Sequence, residues 1–235
     1  MDELCKVKRR IMKEYIIIGD SFYSRRIKKY IEMTSFGVIC AFVVDALYKK
    51  DTLIDGIAVI SLDELRQMYL PDQVELVMGI GYTEMGDLRK CFFERCKALG
   101  YSFTNFIHPS AIISPDVNLG EGNIILENVI IEPDVSIGNA NLIFGGCQIG
   151  HGSSVKDYST FASRVLLSSS DQIGDHCYFG DGSIVSPNVT LGDYVLLGTM
   201  TCANRNLESN AVLIQEKSKV VKGNKSKVYF DMFVK

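Results

Sequence analysis

Residues 172–198 read QIGDHCYFGDGSIVSPNVTLGDYVLLG, a stretch in which an apolar residue returns at every sixth position. The same spacing continues outward from this stretch over residues 113–203. All sixteen positions at this spacing are apolar: Ile113, Leu119, Ile125, Ile131, Ile137, Ile143, Ile149, Val155, Phe161, Leu167, Ile173, Phe179, Val185, Leu191, Leu197 and Ala203. Because 47% of the chain is apolar, chance would fill only about seven or eight of them. The period of six is therefore a structural repeat.

A period of six fits neither an α-helix, which repeats every 3.6 residues, nor an amphipathic strand, which repeats every two. It does fit a solenoid whose coils each have three short flat faces, with one apolar residue per face pointing inward. Glycine, Asn and Asp tolerate the positive φ of sharp corners, and they occur at 114–116, 138–139 and 192–193. The alternative is a β-sandwich with short strands, but its turns would not recur in a fixed register.

The N-terminal part alternates apolar runs with helical segments. The apolar runs cover residues 14–19, 38–44 and 74–80, and the helical segments cover 23–33, 61–69 and 87–99. Such alternation predicts a parallel sheet with helices on its faces. Ligands of such sheets bind at the carboxyl ends of the strands. Residues 19–22, Asp45 and residues 81–82 are expected to converge there.

The loop after the first apolar run reads GDSFYS and contains a single glycine. A dinucleotide fingerprint needs several glycines to approach the phosphates, so this loop is not one. Two readings stay open from the loop alone: a ligand-binding edge, or a structural turn followed by a solvated acid at Asp45.

Composition excludes several classes of protein. The net charge of −3 argues against a nucleic-acid-binding protein. No apolar run reaches the roughly 18 to 20 residues of a membrane span, and the charged N-terminus lacks a signal core, so a cytoplasmic protein is expected. The seven cysteines form no CxxC pair or zinc-site spacing. We therefore expect reduced thiols and no metal, with Cys147, Cys177 and Cys202 as small apolar fillers.

The order of elements, together with the junction FIHP at residues 106–109, resembles the sugar O- and N-acyltransferases of the hexapeptide-repeat superfamily. These include the bacillosamine and perosamine N-acetyltransferases and the sialic acid O-acetyltransferase group. The resemblance runs from about Tyr15 to about Leu213. It implies a Rossmann-like α/β domain over residues 1–106 and a left-handed parallel β-helix over 107–215. A basic tail at 216–235 completes the chain, and the resemblance further implies a homotrimer with active sites between subunits.

The resemblance also implies site residues. The nucleotide-linked sugar is expected at Gly19, Ser21, Phe22, Tyr23, Asp45 and Gly81. The general base is expected at His151, within the stretch QIGHGSSVKD at residues 148–157. Acetyl-CoA, the cosubstrate, is expected at Thr160, Gly180, Asp181, Gly198 and Thr199.

Imidazole chemistry fits this role, since an imidazole, with an ordinary pKa of about 6.5, accepts a proton from an attacking amine or hydroxyl. The resemblance thus predicts acetylation of the amino group of a nucleotide-linked amino-dideoxy sugar, with O-acetylation of a sugar as an alternative. A third interpretation is a trimer that binds nucleotide sugar and CoA with altered catalysis. It follows from three departures: Gly152 stands where the family has an acid after the base, Phe144 stands where it often has Asn, and the family's Gly-rich sugar loop reads GDSFYS here.

Overall fold

The computed structural model describes residues 13–216 and residue 218. Most of the predicted basic tail, including its lysines from Lys217 to Lys227, lies outside the described residues. The N-terminal part holds five strands and three helices. They are β1 (Glu14–Ile18), α1 (Phe22–Met33), β2 (Val38–Val44), β3 (Leu53–Ile54), β4 (Ile57–Ser61), α2 (Leu62–Met68), β5 (Glu75–Met78) and α3 (Asp87–Ala98).

These strands form one mixed sheet in the order β3-β4-β2-β1-β5. β4, β2, β1 and β5 run parallel, and only β3 is antiparallel to its neighbour. Each of the three predicted helices is confirmed to within two residues. The β3–β4 hairpin was not predicted, although Asp55-Gly56 between its strands, with φ of 50° and 79°, is a dipeptide that favours tight hairpins.

Serine residues fix where two of the helices begin. Ser21 and Ser61 each cap a helix through a reciprocal capping box, in which the cap hydroxyl bonds the N–H of the third helical residue. The side chain of that third residue returns the contact to the N–H of the cap. For α1 this geometry sets the first turn of the helix directly after the β1 loop.

The C-terminal part is built from eighteen two-residue strands in three parallel sheets, which we call faces 1, 2 and 3. Face 1 contains β7 (Ile112–Ile113), β10 (Ile130–Ile131), β13 (Gln148–Ile149), β16 (Leu166–Leu167), β19 (Ile184–Val185) and β22 (Cys202–Ala203). Face 2 contains β8 (Asn118–Leu119), β11 (Ser136–Ile137), β14 (Ser154–Val155), β17 (Gln172–Ile173) and β20 (Thr190–Leu191). Face 3 contains β6 (Phe106–Ile107), β9 (Ile124–Ile125), β12 (Leu142–Ile143), β15 (Thr160–Phe161), β18 (Tyr178–Phe179), β21 (Leu196–Leu197) and β23 (Val212–Leu213).

The chain visits the faces in turn, so that paired strands on one face are 18 residues apart, as Ile130 and Gln148 are. The last pair, β21 and β23, is the exception, with Leu196 and Val212 16 residues apart. The second residue of each strand carries the repeat and points inward, where the side chains form one continuous core. Phe161 and Phe179 stack within it, with ring centroids 4.4 Å apart. The predicted solenoid is confirmed as stacked parallel sheets, an arrangement consistent with a left-handed β-helix.

The cysteine prediction holds for two of three residues. Cys147 and Cys177 are buried in the β-helix core, and burial raises the pKa of both thiols to about 12. The prediction for Cys202 is wrong, because this side chain is exposed as the first, outward residue of β22. The core takes the second residue of each strand and the residue just before the strand, where Cys147 and Cys177 lie. Cys202 has neither place, because it is the first residue of β22, and the inward position belongs to Ala203.

The N-terminal domain packs on face 3. The outward residues Phe106, Ile124 and Leu142 of this face are buried in the same cluster as Ile27 of α1. Phe144, which follows β12, is 8% exposed, and its ring meets that of Tyr23 edge-on at 6.0 Å. The aromatic residue at this position is therefore used to join the two domains.

A buried arginine completes this joint. Arg89 of α3 is fully buried, and its guanidinium donates to the carbonyl of Gly81 at 2.8 Å. It also donates to the carbonyls of Tyr158 and Ser159 and to the hydroxyl of Thr160 in the β-helix. Burial lowers the pKa of Arg89 to about 10, so that the group is still charged at neutral pH. One cation thus crosslinks the two domains through oxygen acceptors.

We expect Arg89→Met to lower the free energy of unfolding by about 2–4 kcal/mol, because it leaves several buried oxygens without a donor. Urea unfolding followed by circular dichroism measures this change. Arg66→Met, an exposed arginine of α2, serves as the control and is expected to stay within about 0.5 kcal/mol of the wild type. Equal losses in the two variants would contradict a crosslinking role for Arg89.

Candidate functional site

A cleft of about 310 Å³ opens at the carboxyl edge of the N-terminal sheet. Its walls come from the loops after β1, β2 and β5 and from one side of α3. The lining residues are Gly19, Asp20, Ser21, Val44, Asp45, Tyr48, Ile80, Gly81, Thr83, Glu84, Leu88 and Phe92. Four of the six residues predicted to bind the sugar nucleotide, Gly19, Ser21, Asp45 and Gly81, therefore lie together.

The β1 loop is shaped by Gly19, which has a φ of +102° that other residues rarely adopt. A side chain here would also crowd the loop, because a Cβ would stand 3.0 Å from Ser24 Oγ and 3.2 Å from Ile80. Ser24 in turn donates to the carbonyl of Gly79 at 2.9 Å, which ties α1 to the end of β5. The loop thus places Ser21, the N-cap of α1, in the cleft wall, and the N-terminus of a helix favours an anion.

Asp45 is held in a bidentate ion pair. Its two carboxylate oxygens lie 2.6 and 2.9 Å from the guanidinium of Arg95 on α3. This contact raises the pKa of Arg95, with the Asp45 hydrogen bond as the largest cause. Sequence analysis missed Arg95, although Leu88, Phe92 and Arg95 follow the spacing that places residues on one face of a helix.

Phe22 and Tyr23, also predicted for the sugar nucleotide, lie outside the cleft lining. Phe22 is 86% exposed at the first position of α1. Tyr23 is turned toward the domain joint, and its buried hydroxyl finds no hydrogen-bond partner among the described residues. Burial raises the pKa of Tyr23 strongly.

His151 lies at the corner between faces 1 and 2, on the edge of the β-helix opposite face 3. The imidazole is exposed, and its Nδ1 lies 3.7 Å from a carboxylate oxygen of Asp134. The N–H of His151 donates to Glu132 Oε2 at 2.9 Å. Both acids come from the preceding coil, and the sequence analysis missed them because it searched only beside the histidine, at Gly152. The 18-residue coil length was the signal that could have found them, because it places Glu132 and Asp134 at the same corner as His151, one coil earlier.

The residues predicted for acetyl-CoA divide into two places. Gly180, Asp181, Gly198 and Thr199 lie together at the corner between faces 3 and 1, on two successive coils, with Asp181 and Thr199 exposed. A Cβ at Gly180 would stand 2.5 Å from the N atom of Thr199, so the tight stacking of coils already requires this glycine. Thr160 lies apart, buried on face 3, where its hydroxyl accepts from Arg89 at 3.1 Å.

Face 1 connects the His151 corner with the Gly180 corner, and its outer side is apolar except for Gln148 of β13. Ile112 is 66% exposed there, and Ile130 and Ile184 are also exposed. The outward residues of face 2 are instead polar, namely Asn118, Ser136, Ser154, Gln172 and Thr190. Of the two faces left free by the N-terminal domain, face 1 is thus the one that exposes aliphatic side chains.

Two negative findings concern the described part of the chain. Over residues 13–216, no group of three or more His, Cys, Asp and Glu side chains is arranged to hold a metal ion. No helix within the same range has the length and apolar character needed to span a bilayer.

Comparison with solved structures identifies similar proteins. PerB from Caulobacter crescentus, in complex with CoA and GDP-perosamine, is 26% identical over 86% of this chain and 94% of its own, with a TM-score of 0.76. The acetyltransferase domain of PglB from Neisseria gonorrhoeae, with acetyl coenzyme A, is 18% identical over 89% and 100%, with a TM-score of 0.77. WeeI from Acinetobacter baumannii is 16% identical over 86% and 97%, with a TM-score of 0.68.

No protein-family model matches the sequence, and a search of curated proteins finds no match. The likeness to PglB and WeeI, at these identities, bears on the fold alone. Among these neighbours, the Caulobacter crescentus protein is a perosamine N-acetyltransferase and the PglB domain is an acetyltransferase. The resemblance found in the sequence is confirmed at this level.

Proposed function

We propose that the chain is a CoA-dependent acyltransferase that acetylates the amino group of a nucleotide-linked amino-dideoxy sugar. The observation that carries this proposal is the likeness to PerB, which extends over both domains of a protein solved with CoA and a nucleotide sugar. The cleft supports it independently, because four residues matched to the nucleotide-sugar site line one cavity at the sheet edge. Cleft and β-helix then supply the acceptor and donor halves of one reaction.

The acceptor half is the N-terminal domain, which we take to be Rossmann-like. Nucleotides bind such sheets at the carboxyl ends of the strands. A diphosphate fits the N-terminus of α1, where Ser21 caps the helix and free N–H groups attract negative charge. Arg95 holds the Asp45 carboxylate in place beside this point. The carboxylate can then accept hydrogen bonds from the base or the ribose of the nucleotide.

The donor half is a left-handed β-helix that assembles as a homotrimer through face 1. Its exposed aliphatic residues, Ile112, Ile130 and Ile184, are costly to leave in water. In a cyclic trimer each subunit uses two different edges of its interface. One edge of face 1 carries His151, and the other carries Asp181 and Thr199. Packing around a three-fold axis therefore brings the proposed CoA corner of one subunit toward the His151 corner of the next.

In the proposed mechanism His151 is the general base. The Asp134 carboxylate near Nδ1 favours the tautomer with a proton on Nδ1, which leaves the Nε2 lone pair for the acceptor. The sugar amine loses a proton to Nε2 as its nitrogen bonds to the thioester carbonyl carbon. The carbon–sulfur bond then breaks, and the imidazolium returns that proton to the departing sulfur, so that CoA leaves as the thiol. The 3.7 Å separation is longer than a hydrogen bond, and such contacts often shorten only when substrates bind.

We expect His151→Asn to lower kcat by about 10²- to 10⁴-fold, since general-base catalysis is lost. Free thiol release from acetyl-CoA, with GDP- and UDP-linked amino-dideoxy sugars and their hydroxyl analogues, measures the rate and separates N- from O-acetylation.

Asp134→Asn is expected to lower kcat roughly tenfold, because Asp134 orients the His151 imidazole and does not itself take the proton. His108→Asn is the control and keeps wild-type activity, because His108 contacts Ser110 on the first coil, away from this corner.

Full activity in His151→Asn would remove this residue from the mechanism. A wild-type protein that releases no thiol with any acceptor, yet binds CoA and nucleotide, would instead identify the altered binding trimer.

We expect Ile130→Asp combined with Ile184→Asp to convert a trimer to monomers, because two carboxylates per subunit would be buried in the interface. Sedimentation velocity distinguishes three chain masses from one. The matched control, Gln172→Asp with Thr190→Asp on the polar face 2, is expected to remain trimeric. A wild-type monomer, or a trimer that survives the face 1 changes, would contradict assembly through face 1.

The chain contains no Trp, so Leu88→Trp places a single Trp in the cleft wall. We expect titration with GDP or UDP to change its emission in a saturable way, and the larger side chain to weaken binding by roughly tenfold through lost space. Met68→Trp on α2, outside the cleft lining, is the control and should not respond. Emission that stays constant in both variants would argue against nucleotide binding in this cleft.

A further inference from the structure

Three aromatic rings form a column at the corner between faces 2 and 3. Tyr158, His176 and Tyr194 occupy the same position in three successive coils, and all have a left-handed φ of 58–60°. His176 lies in the middle and is 2% exposed. Its ring is stacked on Tyr194 at 4.6 Å and lies 5.1 Å from Tyr158.

The column faces a strained turn of the N-terminal domain, residues 83–86. Glu84 and Met85 both have left-handed backbones, with φ of 51° and 48°, and Gly86 follows with a φ of 97°. Left-handed conformations are unfavourable for residues with side chains, so consecutive ones persist only where contacts hold them. Thr83 and Glu84 line the cleft, so the shape of the turn is also the shape of a cleft wall.

The contacts that hold the turn come from the β-helix. His176 Nδ1 lies 3.2 Å from the carbonyl oxygen of Met85, and since a carbonyl only accepts, the imidazole N–H is the donor. The same nitrogen lies 3.4 Å from Asp87 Oδ1, which accepts from the Tyr194 hydroxyl at 2.8 Å. Gly86 is pressed against the column, because a Cβ there would stand 2.5 Å from the carbonyl oxygen of Tyr158.

A second observation separates this contact from ordinary packing. His176 Nε2 is buried and has no partner among the described residues. Burying a polar atom without a hydrogen bond is unfavourable. A Phe or Tyr ring, which lacks this nitrogen, would fill the same position in the coil. Tyr158 and Tyr194 occupy it in the neighbouring coils with the same backbone conformation. The gain that offsets the unpaired nitrogen is the bond from Nδ1 to the turn.

We propose that His176 is a positioning residue for the acceptor, which acts by holding the 83–86 turn in the conformation that forms the cleft wall. The ligand named here rests on the proposed function, whereas the link between the imidazole and the turn does not. Through this link the β-helix, which carries the proposed donor site, also sets the cleft that receives the acceptor. The residue itself does not line the cleft.

The test compares three single-atom or single-group changes in the column of the full-length protein. His176→Phe keeps the ring and removes the N–H donor, and Tyr194→Phe removes the hydroxyl that bonds Asp87. Tyr158→Phe is the matched control, since its hydroxyl is not part of the contacts to the turn. Hydrogen–deuterium exchange of peptides covering residues 82–88 reads the turn without any ligand. Calorimetry with GDP and UDP reads the cleft, and calorimetry with CoA reads the other site.

We expect His176→Phe to speed exchange in the turn by roughly fivefold or more, as contacts that limit local opening are lost. The Kd for the bound nucleotide rises roughly five- to tenfold, the effect of one lost hydrogen bond. The Kd for CoA stays unchanged. Tyr194→Phe gives a smaller change in the same direction, and Tyr158→Phe gives none.

Unchanged exchange in His176→Phe overturns the inference, and so does faster exchange with an unchanged nucleotide Kd. An equal effect in Tyr158→Phe also overturns it, since it would indicate general loss of packing in the column. If the wild type binds neither GDP nor UDP, the proposed acceptor fails and the positioning role falls with it. Faster exchange in His176→Phe would in that case still establish the link to the turn.

Discussion

The guanidinium of Arg89 fixes how the two domains meet. It is fully buried, and its partners are oxygens from both domains: the Gly81 carbonyl at the cleft edge and the Tyr158 and Ser159 carbonyls and Thr160 hydroxyl of the β-helix. A buried cation is tolerable only where donors meet acceptors in good geometry. Sliding or rotating one domain would break several of these bonds at once. The guanidinium thus adds directional bonds to the apolar contacts on face 3, and together they set the position of the cleft relative to the β-helix.

That docking decides which surfaces remain for function. Among the described residues, the N-terminal domain covers the first strands of face 3 and leaves faces 1 and 2 uncovered, and of these two it is face 1 that exposes aliphatic side chains. His151 lies on the edge opposite the covered face, away from the cleft of its own chain. A reaction that needs both must draw them from different subunits. The arrangement of a single chain thus argues for assembly, in keeping with the proposed trimer.

The sequence predicted what depends on local pattern and missed what depends on docking. The six-residue spacing predicts the β-helix because each inward side chain is fixed by its place in the coil, and the alternation of runs predicts the sheet edge where Gly19, Asp45 and Gly81 meet. The burial of Thr160 beneath Arg89 and the packing of Phe144 against Tyr23 are contacts between domains, which no local pattern encodes. The β3–β4 hairpin did have local signals in Asp55-Gly56 and in the five-residue run of β4, and only β3, with two residues, is too short to stand out as an apolar run.

The two departures at the proposed active site have physical explanations in this fold. Phe144 supports the domain joint, so its loss of polarity serves packing. Gly152 has a φ of +68°, and Asp134 adopts a similar φ of +58° at the same corner one coil earlier. The acid near His151 is instead Asp134, from the coil before it. Paired strands lie about 4.8 Å apart, so Asp134, which is stacked beneath Gly152 one coil earlier, still lies beside the imidazole. In a β-helix, an orienting group can therefore change its place in the sequence and keep its place in space.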